Sequence, residues 1–195
     1  MGSGKSLQLL STAYNFQEHG IPFIILKSKI DNRDGENVIH SRALGDRECL
    51  TIEENCDIYD LIKGLVDIVS VDNQHSVPKW ILVDEAQFLT PEQVDQLAAI
   101  CDNFGISVIC YGLRTDFQTH LFPGSKRLFE IADSVEEIKS MCFCGNKTIF
   151  NARVNADKQI VTDGNQVEVG GDDRYISYCR KCFFEKLGKK PWAEE

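Results

Sequence analysis

No stretch of this 195-residue chain is apolar over the length a membrane-crossing helix needs. A spanning helix is therefore excluded as the basis of function. The first residues are glycine-rich and polar and lack the apolar core of a secretory leader, so export is not expected. Positive charge is scarce as well: 21 Lys and Arg stand against 30 Asp and Glu, a formal net charge of −9. That balance argues against a protein that coats duplex nucleic acid, whose affinity rests on neutralising phosphates. It still leaves room for a small anionic ligand in a local pocket. The length and the 43% hydrophobic content suit one principal domain with an appendage and a real core.

One further absence is local. Met1-Gly2-Ser3-Gly4-Lys5-Ser6 is the back half of the phosphate-loop pattern G-x-x-x-x-G-K-[ST]. The first glycine of that pattern would fall before Met1. The half that is present carries most of the chemistry. Gly4 lets backbone N–H groups approach phosphate oxygens, Lys5 reaches the β- and γ-phosphates, and the Ser6 hydroxyl suits Mg²⁺. In this architecture a buried strand feeds the loop. The expectation is therefore that Met1 is an internal loop residue, with a short strand upstream that would occupy the centre of the sheet.

The residues after Ser6 support the loop. Leu7, Leu9, Leu10, Ala13, Tyr14 and Phe16 have largely helical spacing, and Gly20 suits a helix stop. A helix whose first N–H groups face an anion is the geometry such a motif requires. Pro22 to Leu26 reads as a buried strand. Ser28 to Glu48 is polar and turn-rich and reads as a long mobile loop, in which Arg33 and Arg42 are either solvated charges or phosphate contacts. Asp57 to Val69 has amphipathic helical spacing. Thr90-Pro91-Glu92-Gln93 is a capped helix start, running to about Asn103 with Gly105 just beyond. Trp80–Val83 and Ile106–Tyr111 flank that helix as apolar strands. This is a βαβ unit and hence a parallel sheet.

Asp84 and Glu85 stand at the end of the first of those strands, at the carboxyl edge where open α/β folds bind ligands. Asp84 fits the strand-end position that holds Mg²⁺ together with Ser6, and Glu85 is placed to act as a general base. The alternative is a carboxylate pair that only caps the turn through Gln87 and Phe88. Asp84-Glu85-Ala86-Gln87 also echoes the box of helicases, which keeps open a nucleic-acid-dependent ATPase. Size and acidity disfavour it, since such motors use two such domains.

Eight cysteines divide into two groups. Cys49, Cys56, Cys101 and Cys110 are scattered; the last two lie in apolar stretches and read as buried thiols. Cys142, Cys144, Cys179 and Cys182 form two close pairs around a turn-rich stretch. That spacing suits a closed, structural tetrahedral Zn²⁺ site. Free thiols, a redox pair or a DNA-binding zinc ribbon are the alternatives. The chain thus divides into a phosphate-loop α/β domain over residues 1–139 and a small β-rich zinc subdomain over 140–195.

These motifs, in this order, resemble the type II thymidine kinase family, the cellular and bacterial kind. The resemblance covers essentially the whole chain. It is carried by Met1–Ser6, Asp31-Asn-Arg33, His40-Ser-Arg42, Asp84-Glu-Ala-Gln-Phe88, Tyr111-Gly-Leu-Arg-Thr-Asp-Phe117, the first cysteine pair, and Val167-Glu-Val-Gly-Gly-Asp-Asp-Arg-Tyr175 running into Cys179-Arg-Lys-Cys182. It implies a P-loop NTPase-like fold and ATP-dependent phosphorylation of the thymidine 5′-hydroxyl, with deoxyuridine a second possible acceptor. It implies that Glu85 accepts the hydroxyl proton. Gly2, Ser3, Gly4, Lys5, Ser6, Arg33, Asp84 and Gln87 are assigned to ATP and Mg²⁺. Val167, Glu168, Val169, Gly170 and Gly171, ending near Tyr175, form a lasso whose backbone reads the thymine edge. Phe117 and Met1 lie against the base, and the zinc anchors the lasso. It further implies a cytoplasmic homotetramer of nucleotide salvage, inhibited by dTTP and bound to neither nucleic acid nor membrane.

Overall fold

The computed structural model describes residues 4–30, 35, 37–41, 44–71, 76–166 and 174–188, with backbone alone at Ser41, Ser70 and Val71. Among these the chain forms two compact units. Gly4–Arg114 with Phe122–Val135 makes one, and Thr115–Leu121 with the described residues from Glu136 onward makes the other.

The first unit begins with helix α1, Lys5–Glu18, which leads into strand β1, Phe23–Ser28. Leu9, Leu10 and Ala13 supply the buried face of α1. Leu7 and Tyr14 share the apolar pattern but are exposed. Helix α2, Ile58–Val71, precedes β5, Trp80–Asp84; helix α3, Pro91–Phe104, precedes β6, Ser107–Cys110; and α4, Pro123–Ile131, closes the unit. The start of α3 is fixed as its sequence demands. Thr90 Oγ1 accepts from the Gln93 N–H at 3.1 Å, and Gln93 Oε1 accepts from the Thr90 N–H at 3.2 Å. Such a cap contributes about 1 kcal/mol. At the far end Gly105 takes a left-handed φ of 65° and its N–H reaches the Cys101 carbonyl.

The segment between Ser28 and Glu48 is not one long loop. It contains an antiparallel hairpin, β2 (Val38–Ser41) with β3 (Gly45–Glu48), followed by β4, Leu50–Ile52. Ile39 is 1% exposed and is the one fully buried residue among those described in the hairpin, so it anchors an otherwise mostly polar stretch. The larger sheet has the order β4-β1-β5-β6, with every neighbouring pair parallel. Its strands are hydrogen-bonded in unbroken succession. Leu26, Ile52, Ile58, Ile62, Ile81, Val83, Leu97, Ile100 and Ile106 form one buried cluster on the sheet. Strands covered on both faces read as continuous apolar runs, as β5 does.

The second unit pairs β7, Phe150–Arg153, with β8, Tyr175–Tyr178, antiparallel, and adds a short helix α5, Arg180–Lys186. Its apolar cluster joins Ala152, Tyr178 and Phe183 to Cys142 and Cys179, with the Phe150 and Phe183 rings 4.7 Å apart. No helix among the described residues is long and apolar enough to cross a membrane.

Candidate active site

The parallel sheet brings β5 to its carboxyl end at Asp84, close to the first turn of α1. Gly4 caps that helix at φ 80°, a left-handed conformation open to glycine and strained for other residues. Ser6 Oγ then donates to Asp84 Oδ2 at 3.2 Å. Lys5 Nζ lies 3.6 Å from Glu85 Oε1, with both side chains nearly buried. Helix start and strand end thus meet through two pairs of functional groups.

Glu85 is only 4% exposed and sits at φ 50°, ψ 41°. Left-handed geometry at a non-glycine residue costs on the order of 1 kcal/mol and recurs at functional sites. Here it turns the chain off β5 into the 3₁₀ turn Ala86–Phe88, whose Ala86 N–H binds the Tyr111 carbonyl at 2.9 Å. Gln87 is fully buried; its Nε2 donates to Glu85 Oε2 and its Oε1 accepts from the Leu113 N–H at 2.9 Å. Both carboxylate oxygens of Glu85 are therefore held. Glu85 occupies the cap position of that turn but makes no side-chain cap hydrogen bond; its carboxylate is engaged by Lys5 and Gln87 Nε2.

Burial pushes the Asp84 carboxyl up to about 6, and the neighbouring Glu85 charge adds to the rise. Lys5, the Glu85 N–H and the Ser6 hydroxyl pull the other way. A partly buried oxygen pair of hydroxyl and carboxylate is a donor set that Mg²⁺ accepts.

Lys27 carries no motif that singles it out in the sequence. It is 1% exposed, lies opposite Asp84 in the β1–β5 register, and donates from Nζ to the Val38 carbonyl of the β2–β3 hairpin at 3.2 Å. A lysine inside an apolar run is the signal that identifies it, because such a residue is seldom fully buried without purpose.

In the other unit the Sγ atoms of Cys142, Cys144, Cys179 and Cys182 all lie within 4.8 Å of one another. Tetrahedral Zn–S bonds of about 2.3 Å give sulfur–sulfur edges of about 3.8 Å; Cys144 and Cys179 are 3.5 Å apart. The Asn146 N–H leads a set of hydrogen bonds that lowers the Cys144 thiol to about 6, and backbone donors also lower Cys142. Cys182, hydrogen-bonded to its neighbouring sulfurs, is pushed up to about 12. A cluster that favours thiolate yet must retain a proton is what a cation relieves. The donor set fits a metal.

Phe117, expected at the base, and Tyr175, expected at the end of the lasso, are both in this second unit and meet on Arg153, a residue that no sequence motif marks. The Arg153 guanidinium lies 3.8 Å from the Phe117 ring centre, and its Nε donates to Tyr175 Oη at 3.3 Å. Met1, Gly2, Ser3, Arg33, Arg42 and Val167 to Gly171 lie outside the described residues.

A family model described as thymidine kinase matches residues 1–183. The chain belongs to the thymidine kinase family. It is 43% identical over 189 residues to a thymidine kinase of Zymomonas mobilis, covering 96% of this chain and 93% of that one. It is 42% identical over 187 residues to a thymidine kinase of Pasteurella multocida, covering 96% and 94%. A thymidine kinase of Rhizobium meliloti is 40% identical over 187 residues, with 96% and 93% covered. Family membership carries ATP use with it and leaves the helicase-like reading of the Asp84–Gln87 box without support.

Proposed function

We propose that this protein transfers the γ-phosphoryl group of ATP to the 5′-hydroxyl of thymidine. The observation that carries the reading is the juxtaposition of Ser6 with Asp84 and of Lys5 with Glu85 in a chain of this family. Phosphoryl transfer asks a protein mainly for positioning and charge stabilisation. The Gly4 turn and the N–H groups of α1 cradle the phosphates, and Lys5 moves from Glu85 to the β- and γ-phosphates. Ser6 and Asp84 would hold Mg²⁺, which would neutralise phosphate charge. The 5′-oxygen forms a bond to the γ-phosphorus as the bond to the bridging oxygen breaks and ADP leaves. Glu85 takes the hydroxyl proton, and Gln87 fixes the carboxylate in the orientation that receives it.

The remaining assignments rest on the family resemblance. Val167, Glu168, Val169, Gly170 and Gly171, ending near Tyr175, read the thymine edge; Phe117 and Met1 lie against the base; Arg33 contacts phosphate together with Gly2 and Ser3. A structural Zn²⁺ on the four cysteines would anchor the lasso at Cys179. A cytoplasmic homotetramer inhibited by dTTP, with deoxyuridine as a second acceptor, completes the reading. The test is transfer of labelled γ-phosphate from Mg-ATP to thymidine, with deoxycytidine and single-stranded DNA as controls. Label on thymidine and not on deoxycytidine supports the reading. ATP hydrolysis stimulated by DNA, without labelled nucleotide, contradicts it.

A further inference from the structure

Arg153 is 4% exposed on β7, a residue type that is seldom fully buried unless its guanidinium is engaged. Here the engagement is extensive. The guanidinium covers the Phe117 ring at 3.8 Å and lies 5.7 Å from the Tyr175 ring centre. Nε donates to Tyr175 Oη at 3.3 Å, and Nη2 donates to the Asn165 carbonyl at 2.9 Å and, more weakly, to the Gln166 carbonyl at 3.5 Å. Three separate stretches of chain are therefore fixed by one planar cation: residues near 117, near 165 and at 175.

The surroundings are built to the same end. Arg153 and Tyr175 are directly opposed in the β7–β8 register, which sets the ring and the guanidinium side by side. Gly164 keeps the approach open: at φ 127°, a Cβ there would come within 3.3 Å of Arg153 Nη1. Gln166 Nε2 also donates to Asp116 Oδ2 at 2.8 Å, and Asp116 holds the N–H groups of Gln118 and His120 at 2.9 Å. The turn that carries Phe117 and the stretch that reaches residue 166 are thus tied twice, once through Arg153 and once through Asp116.

We infer that Arg153 is a positioning residue for the nucleoside acceptor. It holds Phe117 and Tyr175 in fixed orientation and anchors the Asn165–Gln166 stretch to both. The inference rests on the proposed function, which assigns Phe117 to the base and Tyr175 to the end of the lasso that reads its edge. Lysine is no substitute in this role. It keeps the charge but has no planar face to stack on Phe117 and no fork to reach Tyr175 and Asn165 together.

The experiment compares wild type with Arg153→Lys and Arg153→Met in steady-state phosphorylation of thymidine. KM is measured separately for thymidine and ATP, alongside zinc content and thermal melting. Wild-type turnover of thymidine establishes the proposed function on its own, and its absence would defeat that reading rather than this one. With wild type active, the expected result for Arg153→Lys is a thymidine KM raised about tenfold or more, with ATP KM within about twofold and zinc retained. A thymidine KM within about twofold of wild type would overturn the inference. Equal losses in both KM values, or failure of both variants to fold with zinc bound, would make Arg153 a stability residue and overturn it as well.

Discussion

Ser6 and Asp84, 78 residues apart in sequence, share a 3.2 Å hydrogen bond between hydroxyl and carboxylate. The bond joins the first turn of α1 to the carboxyl end of β5. It places a helix N-terminus, with its N–H groups and partial positive charge, beside the strand-end acid. Lys5 and Glu85, their immediate neighbours in the chain, form an ion pair in parallel with it.

Asp84 gives the first prediction. Its carboxyl is pushed from an ordinary value of 3.8 up to about 6 by burial and by Glu85. Below about pH 3 it is protonated in folded and unfolded chains alike and contributes no penalty. As pH rises toward 6 the unfolded chain ionises first, so folding stability falls; above 6 the penalty is complete, at most about 3 kcal/mol. In nucleotide-free protein Asp84→Asn should therefore raise urea stability at pH 8 and leave it nearly unchanged at about pH 3. Activity should fall sharply at both pH values. Equal destabilisation at both pH values would show that burial does not strain this carboxylate.

Gly124 gives the second. A Cβ there would meet the Leu89 carbonyl at 2.4 Å and those of Ala86 and Gln87 at 3.0 and 3.1 Å. These atoms belong to the backbone of the turn that carries Gln87 and cannot yield as a flexible side chain would. Gly124→Ala should cost about 1–3 kcal/mol, measured by chemical denaturation. It should lower kcat by displacing Gln87 from Glu85. Wild-type stability in this variant would mean that α4 and the turn are not in close contact.

The cysteine cluster gives the third. Cys182→Ser should reduce zinc from one per chain to a small fraction, measured by metal analysis. Because Cys179 follows β8 directly, thymidine KM should rise together with the loss of thermal stability. Acid should release the metal, because protons compete with it for the thiolate ligands. Absence of zinc from wild-type protein purified without chelators would remove the basis for this.

Much of this architecture is legible in the sequence because it depends on local chemistry. Thr90 and Gln93 cap a helix wherever they are spaced three apart before an apolar run, and Trp80–Val83 ends in acids at a sheet edge. The four cysteines are readable because metal geometry restricts their spacing. The β2–β3 hairpin is not legible, because among its described residues only Ile39 is fully buried, in a stretch that is mostly polar. Lys27, Gln87 and Arg153 act through partners that only tertiary pairing supplies: Val38, Glu85 with Leu113, and Phe117 with Tyr175. A period or a motif records a residue's own preference. It does not record which carbonyl or ring will be folded against it.

The central claim is that Glu85 takes the proton of a thymidine hydroxyl, and Glu85→Gln tests it most directly. Glutamine keeps the size of the side chain and a partner for Lys5 but cannot accept the proton at neutral pH. Thymidine phosphorylation from Mg-ATP should fall by roughly 10²–10⁴ in kcat, while ATP affinity, measured by equilibrium binding, stays within about threefold. Near-wild-type turnover in Glu85→Gln would contradict the account.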